Sequence, residues 1–495
     1  MIYIIKLFFC GVICSFLFPP FFLYPLGFIV FPYLFFILKD KKFQKINKFI
    51  QFLYGVFFGL GITIIVLYWA REPFLFSPST ESFSFLSFFL MLYVAIYFGI
   101  IFVILSFFKN DFSKIIMIPI VFVITEIIRE NFLFGFPWVT FSLIGSSNYY
   151  FLQLAYFIGT NGLSFFLIFF FLIPVIFFML KDAQNKIFLK IYLIFSFLLI
   201  FVLISLIFIR LNILTQQEAN INNNFSLNQL NIKQSDKYNS QFNNDRIKEI
   251  LKIINSQKNT TYIFSETDYP FIIKNNNIVD YFQKYLSNNN SIIIGGIRKD
   301  ENKYYNSIYF ITKDYFQLFD KKILVPFGEF LPFRKHLKFL ENIVGSTDLE
   351  KGKLNRLIKT NLNLNFIPVI CYEIIFFNDL LSTINQNSPL LINITNDSWF
   401  GKHSGPYQHF YLSRIRSSEY NKFLIRVSNN GISATINNYG KIINYFPLNR
   451  KKIQNLNINI PIELNNLISF HKLIYLFIII LAIFAIRIEK KIEKI

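Results

Sequence analysis

The chain has 495 residues, of which 54% are hydrophobic and 20% aromatic, and its formal net charge is +20. This composition is too apolar for one soluble domain, and the polar second half excludes a pure membrane bundle. The basic charge suggests nucleic-acid binding, but the lysines cluster in short loops beside apolar segments. In such loops they act as topology signals and contact anionic headgroups. We therefore expect a membrane protein with a large polar domain and no nucleic-acid partner.

Eight apolar runs are long enough to cross a bilayer, which takes about 20 helical residues. They lie near 2–18, 20–38, 50–70, 84–108, 115–133, 151–180, 187–209 and 467–486. The first run lacks a small-residue cleavage site, so we expect a span there and not a signal peptide. We predict a membrane domain over 1–212, a polar domain over 213–463, and a final span with a basic tail over 464–495.

Basic loops alternate with less basic loops along these predicted spans. Lysines and arginines follow spans two, four, six and eight, at Lys39, Lys41, Lys42, Lys45 and Lys48; Lys109 and Lys114; Lys181 and Lys186; and Arg487, Lys490, Lys491 and Lys494. By the positive-inside rule all four segments lie in the cytoplasm. The sequence therefore predicts a cytoplasmic C-terminus and places 213–463 in the periplasm of a double-membrane bacterium.

An aromatic segment, Asn131–Trp138, occupies the predicted outer loop after span five. Aromatic side chains at a bilayer boundary usually form an interfacial belt. The alternative is a wall beside the outer domain, in which Trp138 faces lipid. Glu126 and Arg129 stand three residues apart near the end of span five, so they can pair on one helix face. A functional pair and a structural anchor are both open.

The outer domain shows strand-like and helix-like segments in alternation after a Gln- and Asn-rich stretch, 213–224, that is typical of a linker. Apolar strand-like runs occur at Tyr262–Phe264, Ser291–Ile294, Ser307–Ile311, Phe366–Ile370, Leu390–Ile394 and Ile432–Ile436. Asp245–Ile254 and Tyr407–Phe423 are compatible with helices. This alternation predicts a layered α/β domain.

Three reactive side chains lie near the ends of strand-like runs in this domain. Cys371 directly follows one run, Glu266 follows another, and Lys321 precedes Leu324–Pro326. A thiol needs a base near neutral pH because its usual pKa is ~8.5, and Glu266 is the candidate base. Lys321 would stabilise a developing oxyanion and favour the thiolate. A lone cysteine is usually an inert buried thiol, so the joint context of the three predicts acyl transfer through a thioester.

The sequence implies neither a metal nor another cofactor. His403 and His409 are six residues apart, which does not suit one helix face, and no HxxH or CxxC pattern occurs. Cys10 and Cys14 lie in the first apolar run, so no disulfide framework is expected.

Taken together, these motifs resemble the apolipoprotein N-acyltransferase family, bacterial inner-membrane enzymes with a nitrilase-like periplasmic domain. The resemblance runs from about residue 15 to the last span. Its motifs are Leu324–Pro332, Ile370–Glu373, Asn396–Gly401, Gly405–His409, Ser428–Gly431 and Gln229–Ile232, with Phe136–Trp138 and Glu126–Arg129 in the membrane half.

The resemblance implies an αββα sandwich with a catalytic triad of Glu266, Lys321 and Cys371. Ser265 stands where the family has proline before the glutamate, and Phe319 replaces the family's tyrosine before the lysine. The lysine is therefore assigned by its spacing to the Leu-Val-Pro motif. Two further essential acids correspond to Glu329 and Glu373, and Tyr372 supports the site beside the cysteine.

The implied reaction moves an acyl chain from a phospholipid, typically phosphatidylethanolamine, to an apolipoprotein. A thioester on Cys371 carries the chain to the free α-amino group of an N-terminal diacylglyceryl-cysteine. The implied partners are the phospholipid donor, apolipoprotein acceptors and the membrane, and we expect a monomer.

Two apolar segments, 330–350 and 399–410, stand near the predicted site, and we expect Trp399 and Phe400 to face lipid or substrate. These segments either form mobile flaps that shield a thioester from water or pack against the sandwich.

Two other functions stay open. One is a membrane-tethered nitrilase or amidase acting on a soluble C–N substrate. The other is a transporter or receptor, which predicts charges spread over several spans.

Overall fold

The computed structural model describes residues 2–182, 186–212, 220–341, 345–360, 364–376, 388–461 and 471–492. The chain divides into two compact units. The first unit comprises Met1–Arg71, Ser84–Gln216 and Asn466–Ile495, and the second comprises Glu72–Phe83 and Gln217–Asn465. The predicted domain borders near 213 and 463 lie outside the described residues.

The first unit is built from apolar helices, which satisfy their own backbone polar groups in hydrocarbon. Its helices are Ile2–Ser15, Gly27–Lys39, Lys41–Gln44, Lys48–Val66, Ser87–Leu105, Asp111–Asn131, Ser142–Gly145, Tyr149–Phe171, Ile173–Asp182, Lys186–Asn212 and His471–Ile492. The helical character predicted for this part of the chain is therefore confirmed.

Five helical stretches of the described chain are long and apolar enough to cross a membrane: Lys48–Val66, Ser84–Leu105, Tyr149–Met179, Leu193–Asn212 and His471–Lys491. The first two predicted spans correspond to shorter apolar helices, Ile2–Ser15 and Tyr24–Lys39. The fifth predicted span corresponds to Asp111–Asn131, which carries five charged side chains. By length and composition the structure supports five spans, and the prediction of eight is supported only in part.

Glu126 and Arg129 fix the chain segment that follows their helix. Arg129 Nε donates to the Phe136 carbonyl over 3.1 Å, and Arg129 Nη2 donates to the Val139 carbonyl. The Phe141 N–H donates to Glu126 Oε1 over 2.7 Å. Because both side chains are buried and contact backbone groups, the structural anchor is the favoured interpretation of this pair.

Trp138 lies inside the first unit, with 0% of its surface exposed. Its ring centroid is 4.6 Å from that of Trp69, and it stacks on Phe136 at 6.2 Å. The prediction that Trp138 faces lipid is therefore wrong. The large apolar area of an indole ring is buried against the other two rings instead.

The second unit contains two β-sheets. The seven-stranded sheet has the order β12-β1-β2-β4-β5-β6, with β3 paired to β4. Its strands are β1 (Asn220–Gln229), β2 (Thr260–Ile263), β3 (Ile273–Lys274), β4 (Ser291–Asp300), β5 (Lys303–Thr312), β6 (Phe316–Asp320) and β12 (Lys452–Pro461). The five-stranded sheet has the order β11-β10-β9-β8-β7. Its strands are β7 (Phe366–Ile370), β8 (Leu390–Thr395), β9 (Phe423–Ser428), β10 (Ser433–Ile436) and β11 (Ile442–Phe446).

The sheets and helices form four layers. One apolar core lies between the sheets and includes Ile263, Ile293, Ile370 and Ile394. A second core lies between the seven-stranded sheet and two helices, Asn243–Ile253 and Asn277–Tyr285. The helix Ser404–Glu419 contacts β9 of the other sheet. The predicted α/β sandwich is therefore confirmed.

All six predicted strands are present, and β7 has the predicted bounds. Strands β7 and β8 are parallel and fully buried, so both are mostly apolar, with Asn393 as the polar interruption within β8. Pro368 is tolerated because β7 is the edge strand of its sheet. The helix predicted over Tyr407–Phe423 ends at Glu419, and Phe423 begins β9.

The linker predicted over 213–224 is wrong for residues 220–224. These residues belong to β1, which pairs antiparallel with β12 along its whole length and parallel with β2. Asn-rich sequence disfavours a strand locally, but hydrogen bonding on both sides of β1 outweighs that preference. Residues 213–219 lie outside the described residues.

Candidate active site

The three predicted catalytic residues follow strands that end at one edge of the sandwich. Glu266 follows β2, Lys321 follows β6 and Cys371 follows β7. Lys321 Nζ lies 3.4 Å from Glu266 Oε1 and 2.9 Å from Glu329 Oε1. The Lys321 side chain is 1% exposed. A buried ammonium ion requires such partners, so Lys321 ties the two carboxylates together, with the shorter distance to Glu329.

Asn306 of β5 connects the same two acids. Its Nδ2 donates to Glu266 Oε1 over 2.8 Å and to Glu329 Oε1 over 2.9 Å, and its backbone carbonyl accepts from the Lys321 N–H over 2.8 Å. The Asn396 N–H donates to the second oxygen, Glu266 Oε2, over 2.9 Å. Both oxygens of Glu266 are therefore hydrogen-bonded. Sequence analysis missed Asn306. The signal that could have indicated it is a polar residue within a mostly apolar strand.

Cys371 is buried, with 4% of its surface exposed, and it begins a short 3₁₀ turn, Cys371–Ile375. Its φ of 50° lies in the left-handed region, which residues with a side chain rarely adopt. Burial and the negative charge of Glu266 raise the pKa of the Cys371 thiol, while Lys321 acts in the opposite direction. At neutral pH the group is therefore a thiol that needs a base.

The charge of Lys321 is secured by its two acid neighbours. Burial alone would lower the pKa of Lys321, but the carboxylates of Glu329 and Glu266 raise it above its ordinary value. The side chain is therefore an ammonium group at neutral pH and cannot accept the thiol proton. Glu266, whose negative charge acts on the Cys371 thiol, stays the predicted base.

Glu373 joins the segment of Lys321 to that of Cys371. Its Oε1 accepts from the Lys322 N–H over 2.8 Å, and its Oε2 accepts from the Ile370 N–H over 2.8 Å. Arg356 binds both oxygens, at 2.8 and 2.9 Å. Burial alone would raise the pKa of Glu373, but Arg356 and the backbone donors lower it. Glu373 is thus an anion that orders backbone, and Arg356, which sequence analysis missed, balances its charge.

A buried ion pair between Lys237 and Asp268 stabilises the turn that carries Glu266. Lys237 Nζ lies 3.0 Å from Asp268 Oδ1 and donates to the Glu266 carbonyl over 2.9 Å. Asp268 Oδ2 accepts from the Ser265 N–H over 2.7 Å. Gly295 of β4 makes room for this turn, because a Cβ there would lie 2.9 Å from Glu266 Cα.

The predicted supporting and lipid-facing aromatic residues lie in different environments. Tyr372 is buried, and its ring packs edge-on against Phe376. Phe400 is also buried, and its ring packs edge-on against His409 at 5.3 Å. The prediction that Phe400 faces lipid is therefore wrong, because its ring covers the buried histidine. Trp399 is half-buried.

Trp399 contacts a segment that precedes the fourth predicted span. Phe76 packs edge-on against Trp399 with ring centroids 5.5 Å apart. Gly401 has φ of 65°, and a Cβ there would lie 2.6 Å from Glu72 Cδ. Glu72–Phe83 therefore belongs structurally to the second unit, a connection that no local sequence pattern indicates.

The two predicted flaps differ in exposure. Phe333 and Phe339 of the first are 63% and 72% exposed, whereas the second packs through Phe400. Residues 342–344 of the first flap lie outside the described residues.

Among the described residues no group of three His, Cys, Asp or Glu side chains is placed to hold a metal ion.

Two family models match different parts of this chain. Residues 268–459 match the carbon-nitrogen hydrolase family, and residues 10–173 match the apolipoprotein N-acyltransferase N-terminal domain. Among solved structures, a CN-hydrolase superfamily protein of Xanthomonas campestris is 17% identical with a TM-score of 0.35, covering 48% of this chain and 91% of that chain. By the family model, residues 268–459 of the second unit match the carbon-nitrogen hydrolase family.

Two curated relatives extend the match across most of the chain. An apolipoprotein N-acyltransferase of Rickettsia prowazekii is 30% identical over 451 residues, covering 89% of this chain and 88% of the relative. One of Haemophilus ducreyi is 32% identical over 383 residues, covering 73% of each chain. The chain belongs to the apolipoprotein N-acyltransferase family, which confirms the resemblance seen in the sequence.

Replacing Gly295 with alanine should reduce activity by ~10²-fold, because a 1 Å displacement of a reacting group has about that effect. The new methyl group meets the backbone of the Glu266 turn, which must move. Gly296→Ala is the matched control, since its Cβ meets the flexible end of Ile273 at 2.8 Å and lies at ordinary contact distance, 3.4 Å, from Tyr269 Cβ. The measurement is the turnover number of Gly295→Ala and of Gly296→Ala with equal amounts of folded protein. Equal turnover numbers for the two variants would contradict the prediction.

Arg356→Met should lower the free energy of unfolding by about 3–5 kcal/mol, because it leaves the buried Glu373 anion unpaired. Arg450→Met, at an exposed position, should have little effect. Since the folded pKa of Glu373 is lowered, its contribution is present above the usual glutamate pKa and is lost as pH falls through the folded value. Denaturant unfolding in detergent at several pH values measures this, and a wild-type midpoint for Arg356→Met would refute it.

Alkylation of Cys371 by iodoacetamide should rise with pH without a plateau. Because the thiol pKa is raised, the thiolate fraction grows about tenfold per pH unit through the neutral range. A Cys10→Ala/Cys14→Ala background leaves Cys371 as the reacting thiol. Stopped samples analysed by mass spectrometry give the rate, and a plateau below about pH 8 would indicate a lowered pKa instead.

Proposed function

We propose that this chain transfers an acyl chain from a membrane phospholipid to the N-terminal α-amino group of diacylglyceryl-cysteine in apolipoproteins. This is the last step of lipoprotein maturation, and it passes through a thioester on Cys371. The observation that carries the proposal is the buried Lys321 ammonium, which lies within ion-pair distance of both Glu266 and Glu329. Relatives named for this activity align over both units.

In the first half-reaction the Cys371 sulfur attacks the ester carbonyl carbon of the phospholipid. Glu266 accepts the thiol proton, and the Lys321 ammonium stabilises the oxyanion of the tetrahedral intermediate. The C–O bond of the ester then breaks, and the departing lysophospholipid oxygen takes the proton from Glu266. The acyl chain remains on sulfur, so one difficult transfer is divided into two easier ones.

In the second half-reaction the neutral α-amino group of the apolipoprotein attacks the thioester carbonyl. Glu266 accepts a proton from the nitrogen, Lys321 again stabilises the oxyanion, and the C–S bond breaks. The proton on Glu266 returns to sulfur, which restores the resting thiol. Glu329 keeps Lys321 in place and Glu373 orders the backbone on both sides of the site, which supports their assignment as supporting acids; Tyr372 borders the nucleophile.

The donor is proposed to be phosphatidylethanolamine and the enzyme to act as a monomer. Phe333 and Phe339 present exposed rings on a loop that follows Glu329. Exposed aromatic rings favour the interfacial zone of a bilayer. We therefore assign this loop, and not Trp138 or Phe400, to contact with lipid acyl chains, with half-buried Trp399 as a further candidate.

The proposed topology has eight spans in the inner membrane, with the charged helix Asp111–Asn131 and the two short N-terminal helices counted among them. The basic loops after spans two, four and six and the basic tail support a cytoplasmic C-terminus. The hydrolase domain, 213–463, then lies in the periplasm, on the side where mature lipoproteins are assembled.

The two other functions considered from the sequence are less well supported. An amidase or nitrilase acting on a soluble substrate has no need of the membrane half, yet residues 10–173 match the N-terminal domain of the acyltransferase family. A transporter has no use for a buried thiol beside a base and an ammonium group.

The test incubates the purified full-length chain with phosphatidylethanolamine labelled in its acyl chains. We expect a hydroxylamine-labile acyl adduct on the peptide that contains Cys371, and its transfer to a diacylglyceryl-cysteine peptide with a free α-amino group. Cys371→Ser should carry no thioester, while Cys10→Ser/Cys14→Ser should react like the wild type. Absence of the adduct together with release of ammonia from an amide would establish the amidase instead.

A further inference from the structure

One face of the helix Ser404–Glu419 binds the carbonyl groups of the turn that carries the nucleophile. His409 Nε2 lies 3.2 Å from the Cys371 carbonyl oxygen. Arg416 Nε donates to the Ile374 carbonyl over 3.0 Å, and its Nη2 donates to the Ile375 carbonyl over 2.7 Å. Residues seven apart lie about two turns apart on the same helix face. We call His409 and Arg416 the carbonyl clamp.

The turn needs partners for these carbonyls. The last carbonyl groups of a helical turn, here those of Ile374 and Ile375, accept no N–H from within the turn, and Cys371–Ile375 is buried throughout. Buried carbonyls without donors are costly. In addition, the φ of 50° at Cys371 is a conformation that its surroundings must enforce.

His409 is itself held by buried charges. Its Nδ1 lies 2.8 Å from Asp397 Oδ1, and Asp397 Oδ2 lies 2.7 Å from Arg426 Nη2. All three side chains are 0% exposed. Burial alone would raise the pKa of Asp397, but Arg426 and His409 lower it, so the carboxylate is an anion. Both ring nitrogens of His409 face acceptor oxygens, so donation to Asp397 and to the Cys371 carbonyl together requires the doubly protonated ring. Burial and Arg426 lower the pKa of His409, and Asp397 acts in the opposite direction. Gly431 leaves room for it, since a Cβ there would lie 2.0 Å from Asp397 Oδ2.

We propose that His409 and Arg416 are positioning residues for Cys371. They fix the carbonyl groups at both ends of the Cys371 turn. The backbone of Cys371 is thereby held in its left-handed conformation, which directs the thiol toward Glu266 and Lys321. Glu373 fixes the Ile370 N–H that precedes the cysteine, so the clamp completes the hold on the backbone. The inference rests on the proposed role of Cys371 as the nucleophile.

Two substitutions at one position test the histidine. The amide nitrogen of glutamine is as many bonds from Cα as Nε2, so His409→Gln keeps a donor for the Cys371 carbonyl. The amide nitrogen of asparagine corresponds to Nδ1, so His409→Asn keeps the contact with Asp397 and loses the one with Cys371. A single-turnover measurement of Cys371 acylation by labelled phosphatidylethanolamine, with thermal unfolding in parallel, compares the pair.

We expect His409→Asn to acylate ~10²-fold more slowly than the wild type, because the thiol is misplaced, and His409→Gln to retain at least about a tenth of the wild-type rate. The half-saturating phospholipid concentration should not change, since both side chains are buried and contact backbone carbonyl groups. Equal rates for the two variants, or a wild-type rate for His409→Asn, would overturn the proposal. A wild-type enzyme that forms no acyl adduct would instead overturn the proposed function.

Arg416→Lys provides a second variant that preserves charge. One ammonium group cannot reproduce the two-carbonyl contact of a guanidinium group, and we expect acylation to slow about tenfold. Arg414→Lys is the matched control, because Arg414 lies on the same helix and donates to the Gly440 carbonyl over 2.8 Å, away from the turn. If both variants slow acylation equally, the effect comes from the helix as a whole and the clamp is refuted.

Discussion

The buried ammonium group of Lys321 lies between two carboxylates, and the chemistry of the site depends on that arrangement. An ammonium ion with 1% of its side chain exposed persists only with anionic partners. Two carboxylates around one cation leave excess negative charge. The Asn306 amide stabilises that charge because it donates hydrogen bonds to both carboxylates. Together with burial, that charge keeps Cys371 a thiol at rest. Glu266 is the proposed acceptor of its proton.

Two further buried acids have a different task, which is to order backbone. Glu373 accepts N–H groups from the Lys321 and Cys371 segments, and Asp397 orients the histidine that contacts the Cys371 carbonyl. Arginine balances each of them, Arg356 for the first and Arg426 for the second. Both acids hold the backbone around Cys371, Glu373 directly and Asp397 through His409.

Many of these features were determined by local sequence. Buried parallel strands such as β7 and β8 are rich in apolar residues, so their positions follow from composition. The motifs taken together, among them Leu324–Pro332 and Ile370–Glu373, indicated the family, and the resemblance implied Glu266, Lys321 and Cys371 as the candidate triad. The apolar runs of the first half indicated membrane helices, because length and hydropathy are properties of a continuous segment.

Only the tertiary structure decided how distant segments meet. Asn306, Arg356 and His409 contact residues far away in sequence, and such contacts follow from strand order and register, which no short segment encodes. For the same reason residues 220–224 of β1 were predicted as part of a linker, and buried Trp138 as lipid-facing. Residue type and spacing specify what a side chain can bind, whereas packing determines which partner it reaches and whether it is exposed.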